Sequence, residues 1–446
     1  MSRPVRFLAA LRRLFSSLDS RLYLAVSPGS WWARMLFVLL ALTASLAVVA
    51  LALLADAAAS LYGFMTSHLL WLPVLLMPAG FAFNRWLTAR FFGGVEGSGI
   101  PQVIAQIRDG HRLPTDAGRV GWWRAVGKLL LTPLSLAFGA SAGCEGPSVF
   151  VGAALMHAGH RWRVIRRIAS ERQLLVAGGA VGIAAAFNTP LGGIMFAIEE
   201  LSEKHRFHAN AATLSAVIMA GLCSLALMGN YLYFGRSHDS LDILHQLPVV
   251  IVCGTLGGAG GGLFSWLALN WQRLLPVRVL GFASRRAFIF AALCGLGAGL
   301  LAWASAGLVA GSGYEAAHGV VSGEAGVPLW YAPAKLLATL LTFMSGIPAG
   351  IFAPSLSIGA GLSALAAGLF PGVSASVLAL LCMVAYLSGM THAPITAFTV
   401  VMEMTDNHAL LIPLMAAAVI GQMTARLCRQ QPVYHGLAAR LLQKTE

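Results

Sequence analysis

Apolar residues run in long stretches along this chain: Met35–Leu54, Leu174–Ile198, Ala211–Met228, Leu247–Leu269, Ala287–Leu308 and Leu410–Met423. Runs of this length with so few charges fit helices that take lipid as solvent, not one face of a soluble fold. Gly and Pro interrupt apolar sequence at Gly97-Ser-Gly-Ile-Pro101, Gly143-Cys-Glu-Gly-Pro147, Asn188-Thr-Pro190, Gly346-Ile-Pro348 to Pro354, and Gly389 to Pro394. Soluble loops break polar sequence. These breaks fall at hydrocarbon depth, where irregular backbone is tolerated only against protein or a wet cavity. The pattern predicts an all-α polytopic membrane protein with tilted and broken, half-spanning helices.

Two of the breaks repeat. Gly143-Cys-Glu-Gly-Pro-Ser-Val-Phe-Val-Gly-Ala153 aligns without gaps to Gly350-Ile-Phe-Ala-Pro-Ser-Leu-Ser-Ile-Gly-Ala360, at an offset of 207. Pro190 through Glu199 matches Pro394 through Glu403, at an offset of 204: a Pro, eight mostly apolar residues, a Glu. Two matches in the same order and at nearly one offset predict duplicated halves. Paired broken segments in corresponding places of two halves point to a transporter's binding site. The expected division is a cytosolic basic helix over 1–30, a first half over 31–228 and an external connection over 229–246. A second half over 247–430 and a cytosolic segment over 431–446 complete it.

Composition agrees. The chain of 446 residues is 58% hydrophobic and 11% charged, with a mean hydropathy of +0.75; a soluble domain carries about 25% charged residues. The net charge of +13 raises a nucleic-acid partner, but its distribution excludes one. Of the 30 Lys and Arg, 28 lie within 1–34, 85–128, 161–172, 204–206, 273–286 and 426–446. Segments 229–246 (Arg236, Asp239, Asp242) and 311–330 (Glu315, Glu324, no base) are base-poor. This is the positive-inside pattern, with both termini cytosolic. The N-terminus shows no signal-peptide cleavage pattern: Arg3, Arg6, Arg12 and Arg13 lead through Trp31 and Trp32 into the first apolar run. The six Cys show neither CxxC nor metal-ligand spacing, so no metal, haem, other cofactor or disulfide framework is expected.

The breaks carry the chemistry. A half-helix starting at mid-membrane presents free N–H groups and the positive end of its dipole. Gly lets backbone approach an ion, and Pro suits a first turn. No Lys or Arg lies in these clusters, which suits an anion that must bind and leave again. Ser98, between Gly97 and Gly99, can donate its hydroxyl to an anion; the plainer reading is a helix cap. Glu145 stands at the start of an apolar half-helix, where a carboxylate is costly without a function. Ionised, it competes for the N–H groups that bind an anion; protonated, it can leave them. The plainer reading is a favourable charge at a helix N-terminus. Glu199 and Glu200 end an apolar half-helix. They read either as solvated charges at the cytosolic boundary or as a proton acceptor facing the cytosol. Tyr434 follows the last span, and its hydroxyl can reach back to an ion or lie in the interfacial belt.

Together these residues resemble the CLC chloride channel and transporter family. Its three anion-site motifs are matched by Gly97-Ser98-Gly99-Ile100-Pro101, Gly143-Cys144-Glu145-Gly146-Pro147 and Gly350-Ile351-Phe352-Ala353-Pro354. Phe187 through Glu200, Glu403 through Asn407, and Pro432-Val433-Tyr434 are similar to bacterial members. The likeness covers nearly the whole chain. It implies a homodimer with one pore per subunit and two inverted-repeat halves. It implies an anion site of Ser98, Gly99, Gly146, Ile351, Phe352 and Tyr434, with Ser98 and Tyr434 donating hydroxyls and Ile351 and Phe352 backbone N–H. Glu145 is implied as the external gating glutamate and Glu200 as the internal proton glutamate of the antiporter branch. Ser98 favours chloride over nitrate. Cys144 departs from the Arg or Lys usual before the gating glutamate, and a lost positive charge makes the neighbouring carboxylate easier to protonate. The chain ends soon after Tyr434, leaving no room for the cytosolic nucleotide-binding modules of some relatives.

The expected function is chloride/proton antiport in the inner or plasma membrane. An uncoupled chloride channel on the same scaffold is the alternative. An intramembrane enzyme is a distant one, lacking HExxH and a Ser/Lys or Asp pair at depth. A fluoride-exporting branch departs from the motifs kept here. No catalytic residue is expected.

Overall fold

The computed structural model describes residues 28–69, 71–109, 119–202, 211–229, 232–237, 239–241, 246–324, 326–428 and 431–443. The expected basic helix over 1–30 lies almost wholly outside these, as do Glu203 to Arg206 and Asp242.

The regular elements among the described residues are helices. In chain order the helices are α1 (Pro28–His68), α2 (Leu72–Phe91), α3 (Ile100–Asp109), α4 (Trp122–Ala137), α5 (Glu145–Ala158), α6 (Arg163–Arg166), α7 (Glu171–Phe187), α8 (Pro190–Phe196) and α9 (Ala211–Met228). After the 229–246 connection come α10 (Leu247–Leu274), α11 (Val277–Arg285), α12 (Ala287–Ala304), α13 (Tyr314–Ser322) and α14 (Tyr331–Ser345). The last are α15 (Phe352–Leu369), α16 (Ala375–Thr391), α17 (Pro394–Thr405), α18 (Leu411–Leu427) and α19 (Val433–Gln443). Four described helices, over Trp32–His68, Leu247–Leu274, Ala287–Ala304 and Phe352–Leu369, are long and apolar enough to cross a membrane. The short ones begin where the sequence breaks: α3 at Ile100, α5 at Glu145, α8 at Pro190 and α17 at Pro394. Pro at the first helical position needs no N–H, which is why α8 and α17 start on it.

Small residues let backbones touch, as helices without a hydrophobic drive between them require. A Cβ on Gly178 of α7 would lie 2.3 Å from the Gly152 carbonyl of α5. One on Gly258 of α10 would lie 2.4 Å from the Gly421 carbonyl of α18.

The repeated segments bond to each other reciprocally. Gly143 N–H donates to the Gly350 carbonyl at 2.9 Å, and Gly350 N–H donates back at 3.0 Å. Ala142 N–H donates to the Gly311 carbonyl, and Ala349 N–H to that of Gly97, both at 3.2 Å. A buried lysine joins each carbonyl: Lys128 donates to Gly97, and Lys335 to Gly311 at 2.7 Å. Lys335 also donates to Val309 at 3.0 Å and Ala310 at 3.2 Å, which uses all three ammonium protons. Ser148 and Ser355 each donate to a carbonyl four residues back, Cys144 at 2.8 Å and Ile351 at 2.5 Å. Equivalent residues in mutual contact are what a two-fold relation between the halves requires. The constant offset extends further than the two motifs: Ala125-Val-Gly-Lys-Leu-Leu130 matches Ala332-Pro-Ala-Lys-Leu-Leu337, again 207 apart.

The second repeat is a crossed pair of clasps. Leu191 and Gly192 N–H, in the first turn of α8, donate to Glu403 of α17 at 3.1 and 2.7 Å. Ile395 and Thr396 N–H, in the first turn of α17, donate to Glu199 at 3.3 and 2.7 Å. Each helix start is thus capped by an acid from the other half, which suits the dipole. The residues ending the preceding helices, Asn188 and His392, both take the left-handed conformation, at φ 56° and 61°.

Candidate functional site

Three helix starts and two hydroxyls meet in the interior. Ser98 is 3% exposed and stands just before α3. Gly146 lies in the first turn of α5, and a Cβ there would sit 2.0 Å from Ser98 Oγ. Only glycine permits that approach. Gly99 is held as tightly: it has φ 106°, and its Cβ would lie 2.9 Å from the Gly146 carbonyl oxygen. Tyr434, in the first turn of α19, is fully buried and faces Ser98. Among the described residues neither hydroxyl has a hydrogen-bond partner of good geometry. A buried donor left unmade costs about 1–3 kcal/mol, so two that converge are suited to an acceptor shared between them.

The third helix start is that of α15. Ile351 and Phe352 are both 1% exposed. Pro354 has no N–H, and Ala353 N–H donates to Glu145 Oε2 at 3.4 Å. That leaves the N–H groups of Ile351 and Phe352 as the open donors of this end. The Phe352 ring stands 5.4 Å from that of Phe187. The Ser98, Gly99, Gly146, Ile351, Phe352 and Tyr434 positions are therefore brought together by the fold.

Glu145 is 1% exposed, and its carboxylate folds back over Gly143 onto the α15 start. A Cβ on Gly143 would lie 2.1 Å from Glu145 Oε2. The carboxylate thus occupies the kind of N–H seat an anion would take. Asp56 of α1 is within electrostatic reach of Cys144, Glu145 and Tyr314. An acid thus stands near this end of the site, where Cys144 already supplies no positive charge. The sequence reading missed Asp56, although an acid within a long apolar helix is itself a signal.

Glu200 sits at the other end. α8 runs into a wider π-type turn over Ala197–Leu201, and Glu200 lies in it, 1% exposed. Such turns recur at functional sites. Neither of its carboxylate oxygens has a hydrogen-bond partner among the described residues. Tyr434 is within electrostatic reach of both Glu145 and Glu200. Glu199, by contrast, is the clasp on α17, so solvated boundary charge describes neither acid. Beyond Glu200 lies His435, which sequence reasoning missed. Its Nε2 is 3.7 Å from Glu200 Oε1, and its Nδ1 is 2.6 Å from Arg108 Nη2.

Among the described residues no group of His, Cys, Asp and Glu could hold a metal ion.

Residues 79–426 match the family model described as voltage gated chloride channel. The chain is 31% identical over 403 residues to a protein of Yersinia pestis bv. Antiqua (strain Angola) named H(+)/Cl(-) exchange transporter ClcA, covering 85% of this chain and 80% of that one. A protein of the same name from Cronobacter sakazakii is 30% identical over 400 residues, covering 85% and 82%. In three dimensions the chain is similar to a slow cyanobacterial Cl−/H+ antiporter solved by X-ray crystallography. The TM-score is 0.77 at 25% identity, over 94% of this chain and 99% of that one.

Proposed function

We propose that this chain, which belongs to the voltage gated chloride channel family, exchanges chloride for protons across a membrane that it spans several times. The observation that carries the reading is the seat of Glu145. Its carboxylate accepts from the Ala353 N–H, beside the open donors of Ile351 and Phe352 and within electrostatic reach of Tyr434. Protonation removes the charge that holds it there and releases an N–H end for chloride. Ionised carboxylate and chloride thus exclude one another at one seat, so the proton on Glu145 decides when the anion can enter. Glu200, buried within electrostatic reach of Tyr434, takes the proton toward the cytosol by a route the anion does not share. The relatives named as H(+)/Cl(-) exchange transporters support this assignment.

In this reading Ser98 and Tyr434 donate hydroxyls to the central anion. Gly99 and Gly146 let backbone come close, and Ile351 and Phe352 supply N–H. The halves 31–228 and 247–430 are inverted about an axis in the membrane plane, with 229–246 external and both termini cytoplasmic. The protein works as a homodimer in the inner or plasma membrane. Cys144, where a base would draw anions in, favours a second reading: an uncoupled chloride channel on the same scaffold.

The deciding experiment is flux from chloride-loaded liposomes, with chloride and pH recorded together. Chloride release that drives protons uphill establishes exchange. Chloride release with no proton movement establishes a channel or uncoupled carrier and makes Cys144→Arg the first reversion to test.

A further inference from the structure

Glu200 is buried and its oxygens have no hydrogen-bond partner among the described residues. A proton must nevertheless reach it from the cytosol if the exchange reading holds, and any relay to it rests on that reading. His435 brings a titratable ring to 3.7 Å from its carboxylate. The ring lies in the first turn of α19, next to Tyr434, with its side chain 22% exposed against 1% for Glu200. It therefore stands between water and the buried acid.

The ring's proton can be placed by chemistry. A guanidinium has five N–H donors and no acceptor. Arg108 Nη2 is 2.6 Å from His435 Nδ1, so Nδ1 must present its lone pair. The proton of the neutral ring then sits on Nε2, which is the atom 3.7 Å from Glu200 Oε1. A small swing of either side chain closes that gap to hydrogen-bond length. Arg108 lies in the last turn of α3, the helix that Ser98 and Gly99 lead into, and α3 packs along α19. Among the described residues Glu199 also lies within electrostatic reach of Glu200, and Asp109 follows Arg108 at the end of α3. Arg172 of α7 donates to the Arg108 carbonyl at 3.3 Å. From α10, which also packs on α19, Arg273 comes close to Arg440. α16 brings no charged residue.

We propose that His435 is the proton-transfer residue between cytosolic water and Glu200, with Arg108 as the positioning residue that fixes its tautomer. When Arg108 withdraws, a proton from cytosolic water bonds to Nδ1. The Nε2–H bond then breaks, that proton bonds to a Glu200 oxygen, and the ring is left neutral. With Arg108 in place Nδ1 is blocked, so the guanidinium also times the transfer.

The test is the reversal potential in planar bilayers under opposed chloride and pH gradients. Both sides carry the same buffer, either a bulky sulfonate or imidazole. In the sulfonate buffer His435→Gln shifts the reversal potential toward the chloride equilibrium potential, where Glu200→Gln already lies. Its proton turnover falls about 100-fold or more. Imidazole restores it by supplying the missing base. Arg108→Gln frees Nδ1 and removes a neighbouring cation, so the midpoint of proton turnover moves to higher pH. An unshifted reversal potential in His435→Gln overturns the proposal. So does a loss that imidazole fails to restore, or an Arg108→Gln profile that stays in place. If the unaltered protein itself reverses at the chloride potential, the exchange reading fails instead.

Discussion

Glu145 and Glu200 are two glutamates with the same burial and opposite surroundings. Each is 1% exposed. Glu145 rests on a helix start and accepts from Ala353 N–H. Glu200 lies near a helix end, in a widened turn, with no described hydrogen bond to either oxygen. The protein thus provides for an ionised carboxylate at one site and withholds that provision at the other. A seat built from N–H groups serves any anion, which is why the first glutamate is proposed to compete with chloride. A carboxyl without donors has no such seat, which is why the second is proposed to carry the proton apart from the anion. Position along the dipole, not burial, distinguishes the two acids.

The widest break in this comparison is Glu145→Gln. The amide imitates the protonated gate, so proton coupling is abolished while chloride release from liposomes continues. Persistent full coupling in this variant would end the shared-seat mechanism. Glu200→Gln also loses proton movement and spares chloride. The two differ in chloride binding measured by calorimetry: Glu145→Gln tightens it by clearing the α15 donors, whereas Glu200→Gln leaves it within about twofold. Equal tightening in both would show that the acids do not differ in the way described.

Gly146→Ala sharpens the contrast from the anion's side. The added Cβ meets Ser98 Oγ at 2.0 Å, so chloride turnover falls about tenfold, a cost of about 1.4 kcal/mol in the barrier, with coupling ratio intact. A changed ratio at unchanged turnover would place Ser98 on the proton route. The smallest effect belongs to Glu199. Its Gln variant keeps transport but weakens a charged clasp by about 1–2 kcal/mol. Thermal unfolding in detergent should fall by about 1–3 °C, and Glu403→Gln should match it. A transport defect in Glu199→Gln larger than in Glu200→Gln would reverse the roles of the adjacent acids.

Much of this was legible in the sequence because the breaks are chemical. Gly and Pro inside apolar runs fixed the starts of α3, α5, α8, α15 and α17, and those starts hold Ser98, Gly146, Ile351 and Phe352. What escaped depends on contacts made across the halves. Glu199 read as a boundary charge because its partners, Ile395 and Thr396, are nearly two hundred positions away in the chain. Lys128 and Lys335 were visible in principle, since the 207 offset continues through both, but a lysine within a helix does not announce that it holds loop carbonyls. Asp56 stood out only as an acid in an apolar helix, and His435 carried no pattern at all. Their significance comes from where α1 and α19 are laid down.

The crossed clasps of Glu199 and Glu403 have a mechanical meaning. Each half holds the other by its helix starts, and the Gly143–Gly350 bridge ties them again at the centre. Two bodies joined this way have no hinge between them. A rocking cycle, in which one half swings against the other, would have to break four backbone hydrogen bonds to carboxylates at every turnover. A frame held at these points is expected to stay still while transport proceeds, leaving the movement to single side chains. Such a machine turns over with little dependence on bilayer thickness or lateral pressure, and cross-linking its halves should leave it running.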